Sequence, residues 1–157
     1  MGLLNAFKLS LLLPKKKAVY QLNRVKTKDF LLYILLLHVL FALPNGVSLI
    51  VDFMKSEDLD NTLLLAGFLY PLLVIMTGTI IISLLAMVGV LVRWMTKRKL
   101  VYQLLWKMAM YACTYPVILY VISSLLHQTT TIEYIGLLLL FLIIFTKMIL
   151  TYPQMKK

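Results

Sequence analysis

The sequence contains almost no cysteine and very few acidic residues. Of its 157 residues, one is a cysteine, Cys113, two are histidines and six are Asp or Glu. A single cysteine excludes a disulfide bond within the chain, and no group of Cys and His has the spacing of a metal site. We therefore expect neither a metal ion nor a cofactor.

The usual catalytic patterns are missing as well. There is no GxSxG, HExxH or phosphate-binding loop, and there is no arrangement of paired carboxylates. Ser123 and Ser124 come shortly before His127, but no acidic residue is placed to orient that imidazole. The sequence thus predicts that the protein is not an enzyme.

Long apolar segments, in contrast, fill most of the chain. Hydrophobic residues make up 62% of it, and the mean hydropathy is +0.93. Several apolar stretches exceed the roughly 18 residues that mark a membrane-spanning helix. We predict an all-α integral membrane protein, a four-helix bundle with an N-terminal interfacial amphipathic helix.

The hydropathy pattern divides the chain into two parts. Residues 1–29 form a basic amphipathic segment, cytoplasmic or interfacial, and residues 30–157 form a four-span transmembrane domain. Asp29 is expected to cap the first span, and Thr130 with Glu133 has the spacing of a capping box before the fourth. The spans are predicted at about 30–53, 66–92, 106–126 and 132–150.

Residues 2–13 are too short to cross the bilayer and are followed by Pro14. They form either a helix in the membrane interface or a loosely ordered tail. In the helical alternative, four apolar side chains face the acyl chains: Leu3, Leu4, Phe7 and Leu11.

Basic residues separate the apolar segments. The formal net charge is +10, but the Lys and Arg residues only flank hydrophobic segments, so we expect no nucleic acid partner. Most of them precede span one or follow span two, and every acidic residue except Asp29 falls on the other side. The positive-inside rule predicts a multi-pass protein of the bacterial cytoplasmic (inner) membrane with both termini in the cytoplasm.

These basic residues are also candidates for binding anionic lipid or a partner, because each Lys or Arg near an anionic leaflet gains about 1 kcal/mol. The candidates are Lys15, Lys16, Lys17, Arg24, Lys26, Arg93, Lys97, Arg98 and Lys99. Two similar hexapeptides lie in these regions, KAVYQL at 17–22 and KLVYQL at 99–104. We interpret them as equivalent entries into outward-going spans, produced either by duplication or by convergence on a common interfacial composition.

Span two carries a stripe of small residues. Gly67, Gly78 and Gly89 recur every eleven residues, which is about three helical turns. Small residues let helices approach closely in lipid, so we predict that this surface packs against another span or another chain. The neighbouring residues of the same surface are Thr79, Ser83 and Ala86.

Two prolines lie inside predicted spans. Pro44, followed by Asn45 and Gly46, predicts a kink or a short unwound stretch in span one. Pro116 predicts a bend in span three, where Thr114 can help to satisfy freed backbone carbonyls. A simple kink and a cavity beside it are the two alternatives.

His38 is expected near the middle of span one. It is either a neutral imidazole with a hydrogen-bond partner or a ligand or proton-relay site. No acidic residue lies at the centre of a span, which counts against a carboxylate-based proton pathway. The partners predicted for a neutral imidazole are Tyr33, Thr77 and Ser83.

Several short motifs carry a resemblance to one family. They are Pro14-Lys15 through Arg24, Leu43-Pro44, and Tyr102-Gln103 with Trp106, which lead into Ala112, Thr114 and Pro116. The chain resembles a family of small integral membrane proteins of Gram-positive bacteria that is classed as a domain of unknown function. Some of its members are labelled maltodextrin-utilisation membrane proteins, and the family is distantly similar to Yip-type multi-span proteins. The resemblance implies no catalytic residues.

Two functional hypotheses follow. The first is a non-enzymatic accessory or regulatory protein of the bacterial inner membrane, which packs against another membrane protein or a second copy and binds anionic lipid of the bilayer through its basic cytoplasmic face. The alternative is a small transport or lipid-handling subunit with a cavity near Pro44 and Pro116.

Overall fold

The structure, a computed structural model, describes residues 2–53, 67, 69–126 and 130–154. The predicted outer loop at 54–61 and His127 lie outside the described residues. The helices are α1 Leu3–Ser10, α2 Lys16–Asn23, α3 Thr27–Phe53, α4 Tyr70–Thr96, α5 Tyr102–Ala112, α6 Thr114–Leu126 and α7 Thr131–Leu150.

Within the residues that the structure describes, four stretches of helix are long and apolar enough to cross a membrane. They are Thr27–Leu49, Tyr70–Thr96, Tyr102–Leu126, which combines α5 and α6, and Thr131–Leu150. The predicted all-α fold with four spans is therefore confirmed, and the chain is a multi-pass membrane protein. Span two ends later than the predicted residue 92, because α4 continues to Thr96 and Lys97 then ends the helix in a left-handed conformation.

The cap predicted from the sequence is observed at the start of one span and differs from the observed start of another. The capping box of α7 is confirmed, since the Thr130 backbone N–H donates to Glu133 Oε2 at 3.1 Å and the reciprocal bond is also present. The predicted cap at Asp29 is wrong, because α3 begins at Thr27 and Asp29 lies within its first turn. A carboxylate in the first turn still interacts favourably with the helix dipole.

The two prolines affect their helices differently. α3 remains helical through Pro44, so the predicted unwinding does not occur there. Span three breaks at Cys113, which leaves Pro116 in the first turn of α6, where its missing N–H removes no helical bond. Across the break, the Thr114 hydroxyl donates to the Tyr111 carbonyl at 2.6 Å.

The buried core lies toward one end of the bundle. Among the side chains that the structure describes, the buried ones of α3 precede Val39, those of α4 follow Ile81, and those of α7 follow Leu140. We call this end, together with α5, the basic half, and we call residues 39–53, 70–81, 117–126 and 130–140 the distal half. Among the side chains that the structure describes in the distal half, only Tyr120 is buried.

The N-terminal segment is a helix and packs on the bundle. α1 contacts both α2 and α3, and Ala6 is fully buried. Leu4 and Leu11 are exposed, as predicted for residues that face acyl chains, but Leu3 and Phe7 pack against the core. Only part of the predicted lipid-facing surface of α1 is therefore available to lipid.

Candidate functional site

Basic residues from three separate segments lie at one end of the bundle. Helices α3 and α5 begin at this end and α4 and α7 finish there, which brings together residues 15–28, 93–101 and 151–154. We call these residues the basic end. Arg93 and Arg98 are half-buried. The other predicted binding residues are exposed: Lys15, Lys16, Lys17, Arg24, Lys26, Lys97 and Lys99.

Contacts between α2 and the C-terminal residues hold the basic end together. The Tyr20 and Tyr152 rings lie 5.1 Å apart, and the Tyr20 hydroxyl donates to the Thr151 carbonyl at 3.2 Å. The Asn23 amide donates to the Tyr152 hydroxyl. Burial raises the pKa of Tyr152 above its ordinary value of 10.0, and the hydrogen bond from Asn23 opposes part of this shift. These contacts fix α2 against the bundle, so the backbone that carries the lysines at its start has a fixed position.

Arg98 is engaged within the protein. Its guanidinium donates to the Tyr152 carbonyl, and its backbone forms a bridge with Gln154. Beside it, the Lys99 N–H donates to the Pro153 carbonyl at 3.4 Å. The sequence did not predict these contacts, because Arg98 and Tyr152 are 54 residues apart and no local pattern connects them.

The two similar hexapeptides occupy different structures. Residues 17–22 lie inside α2, and their apolar side chains are buried against the bundle. Residues 99–101 precede the start of α5 at Tyr102, whose hydroxyl donates to the Ser83 carbonyl at 3.2 Å. The interpretation of the hexapeptides as equivalent entries is wrong, since only the second leads directly into a span.

The small residues of α4 pack against different helices of the same chain. At Gly89, an added Cβ would lie 2.5 Å from the ring of Phe145 on α7, and at Gly78 it would lie 2.5 Å from Nε2 of His38 on α3. Each glycine therefore allows a close helix contact that a larger residue would block. Ala86 is fully buried.

The remaining residues of the predicted stripe have other surroundings. Ser83 Oγ accepts a hydrogen bond from Trp106 Nε1 at 3.1 Å and so joins α4 to α5. The Thr79 hydroxyl donates to the Ile75 carbonyl of its own helix at 2.7 Å. An added Cβ at Gly67 would have no atom within 4 Å. The stripe thus consists of separate contacts with α3, α5 and α7.

His38 is buried between α3 and α4, with 6% of its surface exposed. Its Nδ1 lies 2.8 Å from the Ile34 carbonyl oxygen, and because a carbonyl can only accept, Nδ1 donates in this hydrogen bond. Nε2 is buried and has no hydrogen-bond partner in the part of the chain that the structure describes. The carbonyl replaces the predicted side-chain partners, Tyr33, Thr77 and Ser83.

Two apolar cavities lie where the basic and distal halves meet. The first, of about 120 Å³, is lined by residues that include His38 and Cys113. The second, of about 200 Å³, is lined by residues that include Pro116 and Tyr120. A cavity therefore adjoins Pro116, as the alternative hypothesis requires, but Pro44 lines neither of the two.

A polar contact joins α6 to the start of α7. The Ser123 hydroxyl donates to Glu133 Oε2 at 2.9 Å, a contact that the sequence alone did not reveal because it depends on how the two helices meet. Within the described ranges, no group of three or more His, Cys, Asp or Glu side chains could hold a metal ion.

Comparison with known proteins bears on the last three spans. No curated protein and no solved structure matches the chain. A family profile matches residues 50–151, from the end of α3 to just beyond α7, so the segment that contains α1, α2 and His38 precedes the match. The match covers more than half of the chain, and the chain belongs to the family described as protein of unknown function (DUF1189).

Proposed function

We propose that this protein is a non-enzymatic accessory or regulatory component of the bacterial cytoplasmic membrane. Its basic end binds anionic lipid headgroups, and its spans pack against another membrane protein or a second copy. The observation that carries the proposal is the meeting of basic residues from three separate chain segments at one end of the bundle, with their side chains largely exposed.

The charge at the basic end supports binding to an anionic surface. A Lys or Arg close to an anionic leaflet gains about 1 kcal/mol, and the attraction falls off within a Debye length of about 8 Å at physiological ionic strength. Lys15, Lys16 and Lys17 are exposed at the start of α2, and Tyr20 and Asn23 fix that helix against the C-terminal residues. A fixed position reduces the entropy that binding a headgroup would cost.

The proposed membrane orientation of the protein and its proposed non-enzymatic role rest on the sequence. The positive-inside rule puts the basic end, and with it both termini, in the cytoplasm. The absence of catalytic motifs supports a non-enzymatic role. Some members of the resembled family are labelled maltodextrin-utilisation membrane proteins, and that family is distantly similar to Yip-type proteins. Both relations are part of what we propose for this chain, because the description of its family names no function.

Lipid handling is the second candidate function, and the two cavities favour it. They adjoin the break in span three, and four residues line both of them: Phe41, Leu85, Cys113 and Val117. A helix break that borders apolar space gives a lipid chain a place to enter between helices, which an evenly packed bundle would not.

Replacement of Lys15, Lys16 and Lys17 with Gln tests the leading proposal. The wild-type protein is placed in nanodiscs of phosphatidylglycerol or of phosphatidylcholine, and the hydrogen exchange of α2 is measured in each. We expect slower exchange in the anionic lipid, and we expect the triple Gln variant to lose most of this difference, because three contacts of about 1 kcal/mol each are removed.

The matched control replaces the same three lysines with Arg. This variant keeps the charge and is expected to keep the wild-type difference between the two lipids, whereas added salt should reduce it. Equal exchange of wild-type α2 in both lipids, or a Gln variant that behaves as the wild type does, would contradict binding of anionic lipid at the basic end.

A further inference from the structure

We propose that a groove between the starts of α3 and α5 binds one phospholipid that has a single negative charge and an uncharged, hydroxyl-bearing headgroup, and that its phosphate pairs with Lys107. The inference rests on the proposed binding of anionic lipid, to which it adds a defined site and a class of lipid. It is carried by a half-buried lysine in the wall of a groove whose described lining contains no acidic residue.

The groove lies where spans one and three begin. Its volume is about 510 Å³, and its lining comes from three helices: Thr27 and Leu31 of α3, Ser83 of α4, and Tyr102 and Lys107 of α5. Sites for small molecules are typically about 300–1,000 Å³, so the groove has room for a phosphate and a small headgroup. Lipid reaches it directly, because Leu31 and Tyr102 are exposed.

The ammonium group of Lys107 lies close to the start of span one. The side chains of a helix lean toward its N-terminus, and α5 begins at the basic end. Lys107 Nζ lies 5.3 Å from the centroid of the Phe30 ring, and Phe30 is one turn from the start of α3. The ring attracts the cation but accepts no ordinary hydrogen bond. A phosphate would supply the acceptors that the ring lacks.

Hydrogen bonds to α4 hold two aromatic side chains at the groove. Trp106 Nε1 donates to Ser83 Oγ at 3.1 Å, and the Tyr102 hydroxyl donates to the Ser83 carbonyl at 3.2 Å. Trp and Tyr are enriched at the level of lipid headgroups. Gln103 also lines the groove and is exposed, so its amide is available to bond the hydroxyls of a headgroup.

The charge of the lining selects the headgroup. Among the described lining residues, Lys107 is the one charged side chain, and it balances one phosphodiester. The ammonium group of a zwitterionic headgroup would lie near this cation, and the described lining offers it no carboxylate. A glycerol headgroup adds hydroxyls instead of a charge, and Gln103 and Thr27 can bond them. Phosphatidylglycerol has this chemistry.

The test uses the fluorescence of Trp106, which lines the groove. The chain contains two tryptophans, so a Trp94→Phe background leaves Trp106 to be observed alone. The full-length protein is reconstituted in phosphatidylcholine with brominated acyl chains, which quench a tryptophan that they contact. Unbrominated phosphatidylglycerol or phosphatidylcholine is then added at equal mole fractions. We expect phosphatidylglycerol to displace the brominated lipid about fivefold more effectively, which is about 1 kcal/mol.

Two variants and two controls assign this preference to the groove. Lys107→Gln is expected to abolish it, whereas Lys107→Arg keeps the charge and most of the preference. Gln103→Leu, at an exposed position, is expected to reduce the preference about twofold, and it tests the groove even if Lys107→Gln fails to fold. Lys147→Gln removes an exposed charge in the last turn of α7, away from the groove lining, and should behave as the background protein does.

Each contrary outcome overturns a stated part of the inference. A preference that survives Lys107→Gln, that Gln103→Leu leaves unchanged, or that Lys147→Gln removes equally would show that the groove does not produce it. Equal displacement by phosphatidylethanolamine would show that the headgroup class is wrong. Loss of the preference on addition of glycerol 3-phosphate would indicate a site for free phosphate esters and not for a lipid.

The result is also distinguishable from failure of the proposed function. If Trp106 reports no preference while the hydrogen exchange of α2 still differs between phosphatidylglycerol and phosphatidylcholine, only the groove is wrong, and the basic end still binds anionic lipid. If neither measurement depends on the anionic lipid, both the groove and the proposed function are overturned.

Discussion

The basic half and the distal half of the bundle are packed to different degrees. In the basic half, large side chains are almost completely buried: Tyr33, Leu105, Met108, Tyr111, Phe145 and Met148 each have less than 2% of their surface exposed. In the distal half, Tyr120 is the one buried side chain among those described. The two cavities lie at the border between the halves.

The difference shows where specific contacts hold this membrane protein together. Lipid is as apolar as the protein core, so helices associate through close packing and hydrogen bonds and not through the hydrophobic effect. The basic half contains both kinds of contact, such as Gly89 against Phe145 and Trp106 bonded to Ser83. We infer that global stability depends mainly on the basic half, and that the distal half can open locally at lower free energy.

Gly89→Ala is expected to have the largest effect, because it overfills the basic half. The added Cβ would lie 2.5 and 2.7 Å from atoms of the Phe145 ring, which is 99% buried and has little room to move. We expect a loss of about 1–3 kcal/mol in the free energy of unfolding, reduced in part by the higher helix propensity of Ala. Unfolding in mixed micelles with increasing SDS measures it.

The same substitution at Gly78 tests whether the halves differ. The ring of His38 would have to move, but it borders a cavity of about 120 Å³, so we expect a loss below about 1 kcal/mol. At Gly136, an added Cβ would have no atom within 4 Å, so Gly136→Ala should be neutral or stabilising by up to about 1 kcal/mol. Equal losses for Gly78→Ala and Gly89→Ala would contradict a difference in packing between the halves.

Tyr152→Phe is expected to have an intermediate effect, confined mostly to the basic end. It removes the hydroxyl that accepts from Asn23 and keeps the ring that packs against Tyr20. A lost hydrogen bond of this kind costs about 1 kcal/mol. Hydrogen exchange of α2 should become faster, while exchange in α6 should not change. Faster exchange throughout the chain would show that α2 is not an independent unit.

The same residue predicts a loss of stability at alkaline pH. The pKa of Tyr152 is raised above 10.0 by burial, so the folded protein holds the phenol proton more tightly than the unfolded chain does. Its contribution is complete below pH 10 and is lost as pH rises through the raised pKa. Between pH 9 and pH 11 the wild type should lose more stability than Tyr152→Phe, and identical losses would exclude Tyr152 as a cause.

The features that were predictable from the sequence depend on neighbouring residues. A membrane span needs only an apolar run of sufficient length, and four such runs account for the fold. The capping box of Thr130 and Glu133 is also local, since its two residues lie in one helical turn. The break in span three is local as well, since Pro116 has no N–H for the Ala112 carbonyl four residues back, and the helix breaks next to that carbonyl, at Cys113.

The features that the sequence did not reveal depend on residues far apart in the chain. The glycines of α4 were predicted to pack closely, but their partners, His38 and Phe145, follow from the arrangement of all four spans. The role of Tyr152 could not be inferred, because Asn23 lies 129 residues before it. Candidate residues were thus recognisable by type, while their contacts required the fold.

Ser123→Ala is expected to have the smallest effect. It allows a polar contact of the distal half to be compared with the contact of Tyr152 at the basic end. The Ser123 hydroxyl donates to Glu133 at 2.9 Å, but both residues are only half-buried, so water can replace the lost bond more easily than at Tyr152. We expect a loss of about 0.5 kcal/mol and faster hydrogen exchange at the start of α7. Ser124→Ala, next to it and outside this contact, serves as the control. A loss for Ser123→Ala as large as that for Tyr152→Phe would mean that contacts in the distal half hold as firmly as those at the basic end. The lower opening free energy inferred for the distal half would then be wrong.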